Sequence, residues 1–117
     1  MNLAEQRFPP EARIRKGADY RALTRAARRF HTRSFVFLHR RGETGSSRVG
    51  ITVSRRVGNA VVRNRIKRWV REFARRHMGS LPKAWDIVVI ARPRASDEDH
   101  DTVDAELSEL FGYLSTR

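Results

Sequence analysis

The chain has 117 residues, 25 of them Lys or Arg and 13 Asp or Glu, for a formal charge of +12 at neutral pH. That length suits one small domain, and 39% hydrophobic residues support a modest core and exclude a wholly disordered chain. A cationic excess of this size argues against a metabolic enzyme for neutral substrates and points to a polyanionic partner, while the lack of cysteine excludes disulfides, a thiol nucleophile and thiolate metal cages.

The charge is uneven along the chain. Residues 1–53 carry +8, residues 54–76 carry another +8 with Glu72 as their single acid, and residues 77–117 carry −4. No repeat, low-complexity tract or linker divides the sequence, so residues 1–117 are read as one domain, with about the first 12 residues extended or flexible. The longest apolar run, 87–91, is too short to span a bilayer, and the first residues lack the continuous apolar stretch of a secretory signal.

In chain order, Tyr20, Leu23, Ala27 and Phe30 recur at helical intervals, predicting a first helix over 19–29 with Asp19 in its electropositive first turn. Residues 34–40 are rich in β-formers, with Phe35 and Phe37 on one side and Val36 and Leu38 on the other, a strand apolar on both faces. A Gly/Ser/Thr turn over 42–47 leads to a strand over 48–54 that alternates Val49, Ile51 and Val53 with small residues, so these two strands are expected to form a hairpin. Residues 85–91, continuously apolar at Ile87, Val88, Val89 and Ile90 and stopped by Pro93, read as a central strand. A final helix over 99–114 carries the stripe Val103, Leu107, Leu110, Phe111 and Leu114, with Ser96 as a candidate N-cap.

Residues 59–76 hold the most informative pattern. Asn59 is suited to cap a helix, and at about 100° per residue Val62, Ile66, Trp69, Val70 and Phe73 share one arc, which faces the core. Asn64, Lys67, Arg68, Arg71 and Arg75 occupy the opposite arc, flanked by Arg63 on one side and by Arg65 and Arg76 on the other. Like charges one turn apart repel by a few tenths of a kcal/mol per pair, so the face calls for an external anion. Arginine predominates over lysine, which favours forked hydrogen bonding to phosphate and stacking on unpaired bases over a face that only confers solubility, where signs normally mix.

Arg63-Asn64-Arg65, preceded by Ser54-Arg55-Arg56-Val57-Gly58-Asn59-Ala60-Val61-Val62 and followed by Ile66-Lys67-Arg68, closely resembles the protein subunit family of bacterial ribonuclease P. The resemblance extends to Arg13-Ile14-Arg15-Lys16, Asp19-Tyr20, Arg33-Ser34-Phe35-Val36, Val49-Gly50-Ile51-Thr52-Val53-Ser54 and Asp86-Ile87-Val88-Val89-Ile90-Ala91-Arg92. It implies a subunit of a cytoplasmic ribonucleoprotein that removes the 5′ leader of precursor tRNA. Catalysis rests with the RNA, which holds the required Mg2+, and this chain itself binds no cofactor or metal and carries no catalytic residue. The catalytic RNA would be held by Asn59, Arg63, Asn64, Arg65, Lys67, Arg68 and Arg71. The single-stranded leader would lie in a cleft of Lys16, Tyr20, Phe35, Val36, Phe37 and Arg56, where aromatic faces stack on bases of any identity and cations follow the backbone. Phe35 reads more readily as a core aromatic than as a leader contact, while Tyr20 and Phe37 fit either reading, and Thr24 and Leu38 stand where relatives often carry an aromatic. The implied fold is α+β, a two-layer sandwich of helices on a small mixed sheet, similar to the second domain of a small-subunit ribosomal protein. Its βαβ crossover is left-handed against the right-handed default.

Three other readings compete. An enzyme acting alone lacks support, because His31, His39, His77 and His100 are scattered without ligand spacing and read as exposed or helix-end residues. Asp97, Glu98, Asp99 and Asp101 fit a solvated helix start better than a divalent-ion site. An RNA-binding protein of ribosomal type is equally compatible with the composition. Sequence-specific DNA binding is disfavoured because no helix-turn-helix pair is visible; neither DNA nor a membrane is an expected partner.

Overall fold

The most apolar segment of the sequence organises the rest. In the computed structural model, which describes residues 13–14, 17–43 and 45–117, the chain runs α1 (Ala18–Ala26), β1 (Arg28–His31), β2 (Phe35–Arg41), β3 (Arg48–Thr52), α2 (Ala60–His77), β4 (Trp85–Ala91) and α3 (His100–Ser115). Short 3-10 turns at Met78–Ser80 and Pro93–Asp97 follow α2 and β4. The strands form one mixed sheet in the order β1-β2-β4-β3, antiparallel except for the parallel pair β3 and β4, which α2 connects.

Alternation along the strands divides the core in two. On one face Phe35, Phe37, Val49, Ile87 and Val89 meet Ile66, Val70 and Phe73 of α2 and Val103, Leu107, Leu110 and Leu114 of α3. On the reverse face Leu38 and Val88 pack with Ile14 and Leu23, and Tyr20, Ala27, Val36 and Ile90 close around them half-buried. Sheet, α2 and α3 thus make the expected α+β sandwich, with α1 on its back.

Two glycines make the reverse face possible. Gly17 enters α1 at φ 142°, a backbone conformation that side chains disfavour. Gly50 lies under the strand-like pass of residues 13–14, where Ile14 N donates to Val49 O at 2.8 Å. A Cβ at Gly50 would stand 2.9 Å from the Ile14 carbonyl oxygen.

Several sequence expectations are corrected. The hairpin between residues 34–40 and 48–54 does not form, because β4 lies between β2 and β3. β4 is apolar on both faces and takes the interior position, whereas β3 presents Gly50 and Thr52 to one face and tolerates an outer one. Gly42 N instead donates to Ala84 O at 2.9 Å and Trp85 N to Ser47 Oγ at 3.0 Å, tying Gly42 and Ser47 to the start of β4. The first helix ends at Ala26, and residues 28–31 pair with β2, so Phe30 lies opposite Phe37 in the sheet rather than on a helix. Asp99, not Ser96, caps α3: its carboxylate accepts from Thr102 N at 2.8 Å, and that bond holds its pKa below the ordinary 3.8. His39 is neither exposed nor at a helix end but 2% accessible beneath Trp85 and Tyr113. The expectation for the first 12 residues lies outside the described residues.

Candidate nucleic-acid interface

α2 begins as the sequence predicts: Asn59 Oδ1 accepts from Val62 N at 3.0 Å, fixing where the helical wheel starts. Ile66, Val70, Phe73 and Ala74 are buried, while Val62 and Trp69 are half-buried against the same core. Trp69 is therefore less enclosed than its place on the apolar arc implies. Its ring stacks on His100 of α3, centroids 5.0 Å apart and planes 6° from parallel, and the Arg65 guanidinium lies 5.3 Å from its centroid.

The outer arc is cationic and without internal neutralisation. Asn59, Asn64, Arg68, Arg71 and Arg75 are exposed; Arg63, Arg65 and Lys67 are half-buried. Among the described residues, the one ion pair on this helix joins Arg76 to Asp104 at 3.6 Å; no carboxylate lies within 4 Å of Arg63, Arg65, Lys67, Arg68, Arg71 or Arg75. Arg65 differs from the rest, since its Nη2 donates to Ser96 O at 3.3 Å and is held against the 3-10 turn. One apolar side chain, Val61, stands 74% exposed beside these cations. The helical wheel could have shown it, because Val61 falls one residue before the apolar arc.

A second region lies on the reverse face, where β3 and β4 end and β2 begins. Register places Val36, Ile90 and Thr52 side by side there, and Tyr20 of α1 shares a hydrogen bond with Thr52, Oη to Oγ1 3.0 Å. Arg92 Nη2 donates to His31 Nδ1 at 2.9 Å at its margin. Arg56 is exposed in the 53–58 turn that carries the chain from this cleft to α2, so both regions open at one end of the sheet. Of the six residues expected around the leader, Tyr20, Val36 and Arg56 lie on or beside this cleft. Phe35 and Phe37 do not: both are fully buried on the opposite face, stacked on each other with centroids 5.7 Å apart, and cannot present a ring to a base. Lys16 lies outside the described residues. Sequence reasoning misses Thr52, Ile90, His31 and Arg92, although parallel pairing of the two strands of the βαβ unit would have aligned Thr52 with Ile90.

Among the described residues, no group of three or more His, Cys, Asp or Glu could hold a metal ion, and no helix is long and apolar enough to cross a membrane. A mixed sheet with one uncompensated basic helix and an adjoining cleft of mixed polarity defines a small α+β module for single-stranded or folded nucleic acid. The family model described as Ribonuclease P matches residues 8–115. The chain is 40% identical over 108 residues to the ribonuclease P protein component of Thermotoga maritima, covering 89% of this chain and 92% of that protein. It is 44% identical over 112 residues to that of Desulfovibrio desulfuricans, covering 92% and 86%. Among solved structures, the RNase P protein of Staphylococcus aureus superposes with a TM-score of 0.80 at 36% identity, over 87% of this chain and 94% of that one; that of Thermotoga maritima gives 0.77 at 38%, over 90% and 96%. The chain belongs to the ribonuclease P protein family, the protein components of the endoribonuclease that processes the 5′ end of tRNA.

Proposed function

We propose that the outer arc of α2 holds the catalytic RNA through Asn59, Arg63, Asn64, Arg65, Lys67, Arg68 and Arg71, and that the cleft under α1 receives the single-stranded 5′ leader of precursor tRNA. The observation that carries this reading is the run of guanidinium groups on α2 without carboxylate partners among the described residues. A folded RNA supplies phosphates at the density such a helix requires, and forked arginines bind them in pairs. The start of α2 adds its dipole to the same field.

In the cleft, Tyr20 stands half-buried beside Val36 and Ile90, while Arg56 and Arg92 stand where a backbone would pass. Contacts of this kind read strand flexibility and stacking rather than sequence. The chain's part in the reaction is to position substrate; the Mg2+ of the holoenzyme belongs to the RNA, and the RNA makes and breaks the bonds. Addition of the chain to purified catalytic RNA at low Mg2+ accelerates leader removal, and failure to do so overturns the reading. Tyr20→Ala lowers affinity for leader-bearing precursor by roughly tenfold, in the range of one base stacked on an aromatic ring, and leaves mature tRNA binding unchanged. Equal losses on both RNAs would remove the leader from this cleft.

A further inference from the structure

At the opposite end of the sheet, where β4 begins and α3 finishes, a cavity of about 340 Å3 opens beside Trp85. Its wall brings together Arg28 of β1, Arg41 of β2 and Arg117 beyond α3, with His39, Trp85 and Tyr113 as its aromatic part. Arg40 also reaches it and is the one lining cation with an ion pair, to Asp86 at 3.5 Å. Among the described residues, no carboxylate side chain lines the cavity. Two guanidinium groups already lie on rings here, Arg41 at 5.4 Å from the Trp85 centroid and Arg117 at 4.2 Å from that of Tyr113.

Behind this wall, His39 Nδ1, His39 Nε2 and Trp85 Nε1 have no hydrogen-bond partner, on side chains 2% and 6% exposed. Buried donors and acceptors are nearly always satisfied in folded proteins, so a group left over calls for an explanation. A ligand suited to this wall has two parts. It needs an anionic group for Arg28, Arg41 and Arg117, and a planar ring for the half-buried Tyr113. An inorganic anion lacks the ring, and an apolar aromatic lacks the charge.

We infer that this cavity is a second ligand site, separate from α2 and from the leader cleft, and that it takes a nucleotide: phosphate on the arginines, base beside the half-buried Tyr113 ring. The nucleotide is either free in solution or an unpaired residue of an RNA strand, which present the same chemistry. The site is independent of the roles proposed for α2 and the cleft. Burial, then Arg28 and Arg117, lower the His39 pKa from the ordinary 6.5. A phosphate that neutralises these arginines relieves part of that shift.

The test is titration of the 15N-labelled full chain with AMP, adenosine and inorganic phosphate, following the two tryptophan indole N–H signals. AMP shifts the Trp85 signal saturably and leaves that of Trp69 in place, and adenosine and phosphate bind at least tenfold more weakly. Replacing the exposed Arg28 and Arg41 together (R28A with R41A) weakens AMP at least tenfold without altering the rest of the spectrum. A 5′-phosphorylated trinucleotide, scored on the affinity that R28A with R41A removes, separates the sources: tighter binding than AMP assigns an RNA strand, and equal or weaker binding assigns the free nucleotide. The inference is overturned if phosphate matches AMP, if AMP moves both indoles alike, or if the double variant binds AMP as the parent does.

Discussion

Single residues carry more of this fold than the composition suggests. Asp86 is fully buried in a strand otherwise apolar, and it is tolerable because Arg48 grips it at both oxygens, Nε to Oδ1 3.0 Å and Nη2 to Oδ2 2.9 Å, with Arg40 behind. Removing a partner from a buried charge costs more than the pair is worth. Arg48→Ala therefore destabilises by about 3 kcal/mol, measured by urea unfolding, and Arg40→Ala by clearly less, since Arg40 stands at 3.5 Å. His39 is the second such residue. Its pKa is lowered from 6.5, first by burial and then by Arg28 and Arg117, so below 6.5 the unfolded chain takes up a proton that the folded chain refuses. Stability is then complete above pH 6.5 and falls as the pH drops from there toward the folded-state pKa. Unfolding curves from about pH 7 to about pH 5 show this loss, and His39→Gln removes that portion of the slope. Neither residue's setting is legible in the sequence: His39 reads as exposed or helix-end and nothing marks Arg48 as the partner of Asp86, because these neighbours, from 11 positions away (Arg28 and His39) to 38 (Arg48 and Asp86), meet only when the sheet assembles.

At the scale of elements, periodicity serves where one face decides the structure and fails where pairing does. The wheel of α2, the stripe of α3 and the doubly apolar β4 all form as their spacing implies. The order of strands does not follow from proximity in sequence: burial on both faces, not a nearby turn, decides which strand occupies the interior. β1, four residues with two exposed arginines at its start, has no apolar alternation to announce it and exists by pairing with β2. The same alternation sorts the candidate site. An aromatic strand suits stacking on the leader, which is why Phe35 and Phe37 are expected there, yet neighbouring residues of one strand serve opposite faces, and only Val36 reaches the cleft. Phe37→Ala should accordingly destabilise the domain by about 3 to 5 kcal/mol, read by thermal or urea unfolding. Its folded fraction should bind precursor and mature tRNA in the parent's ratio, the reverse of the Tyr20→Ala result.

Across the whole molecule, charge and core are kept apart. Face by face, the apolar residues of α2 turn to the sheet and its cations turn outward, and the net charge of −4 over residues 77–117 relieves little of this, since among the described residues Arg76 is the one cation of α2 that Asp104 reaches. Folding thus leaves the repulsion among the outward arginines in place, and association with RNA removes it. Release of counterions from the RNA then governs affinity, with a salt dependence that counts the phosphates neutralised. The arginines are not equal in this count. Arg68 and Arg71 are exposed and unpaired among the described residues, whereas Arg65 is already engaged by Ser96 O and the Trp69 ring. Replacing Arg68 and Arg71 by Ala should lower the slope of log affinity for the catalytic RNA against log salt by roughly 1.5, near 0.7 to 0.9 for each phosphate no longer neutralised. Arg65→Ala should weaken binding with a smaller change of slope, because part of its effect comes from loosening the join between α2 and the turn at Pro93–Asp97. Filter-binding titrations of the folded catalytic RNA at several salt concentrations measure both quantities. An unchanged slope for the double variant would mean that these two guanidinium groups meet no phosphate and that the basic arc of α2 serves another purpose.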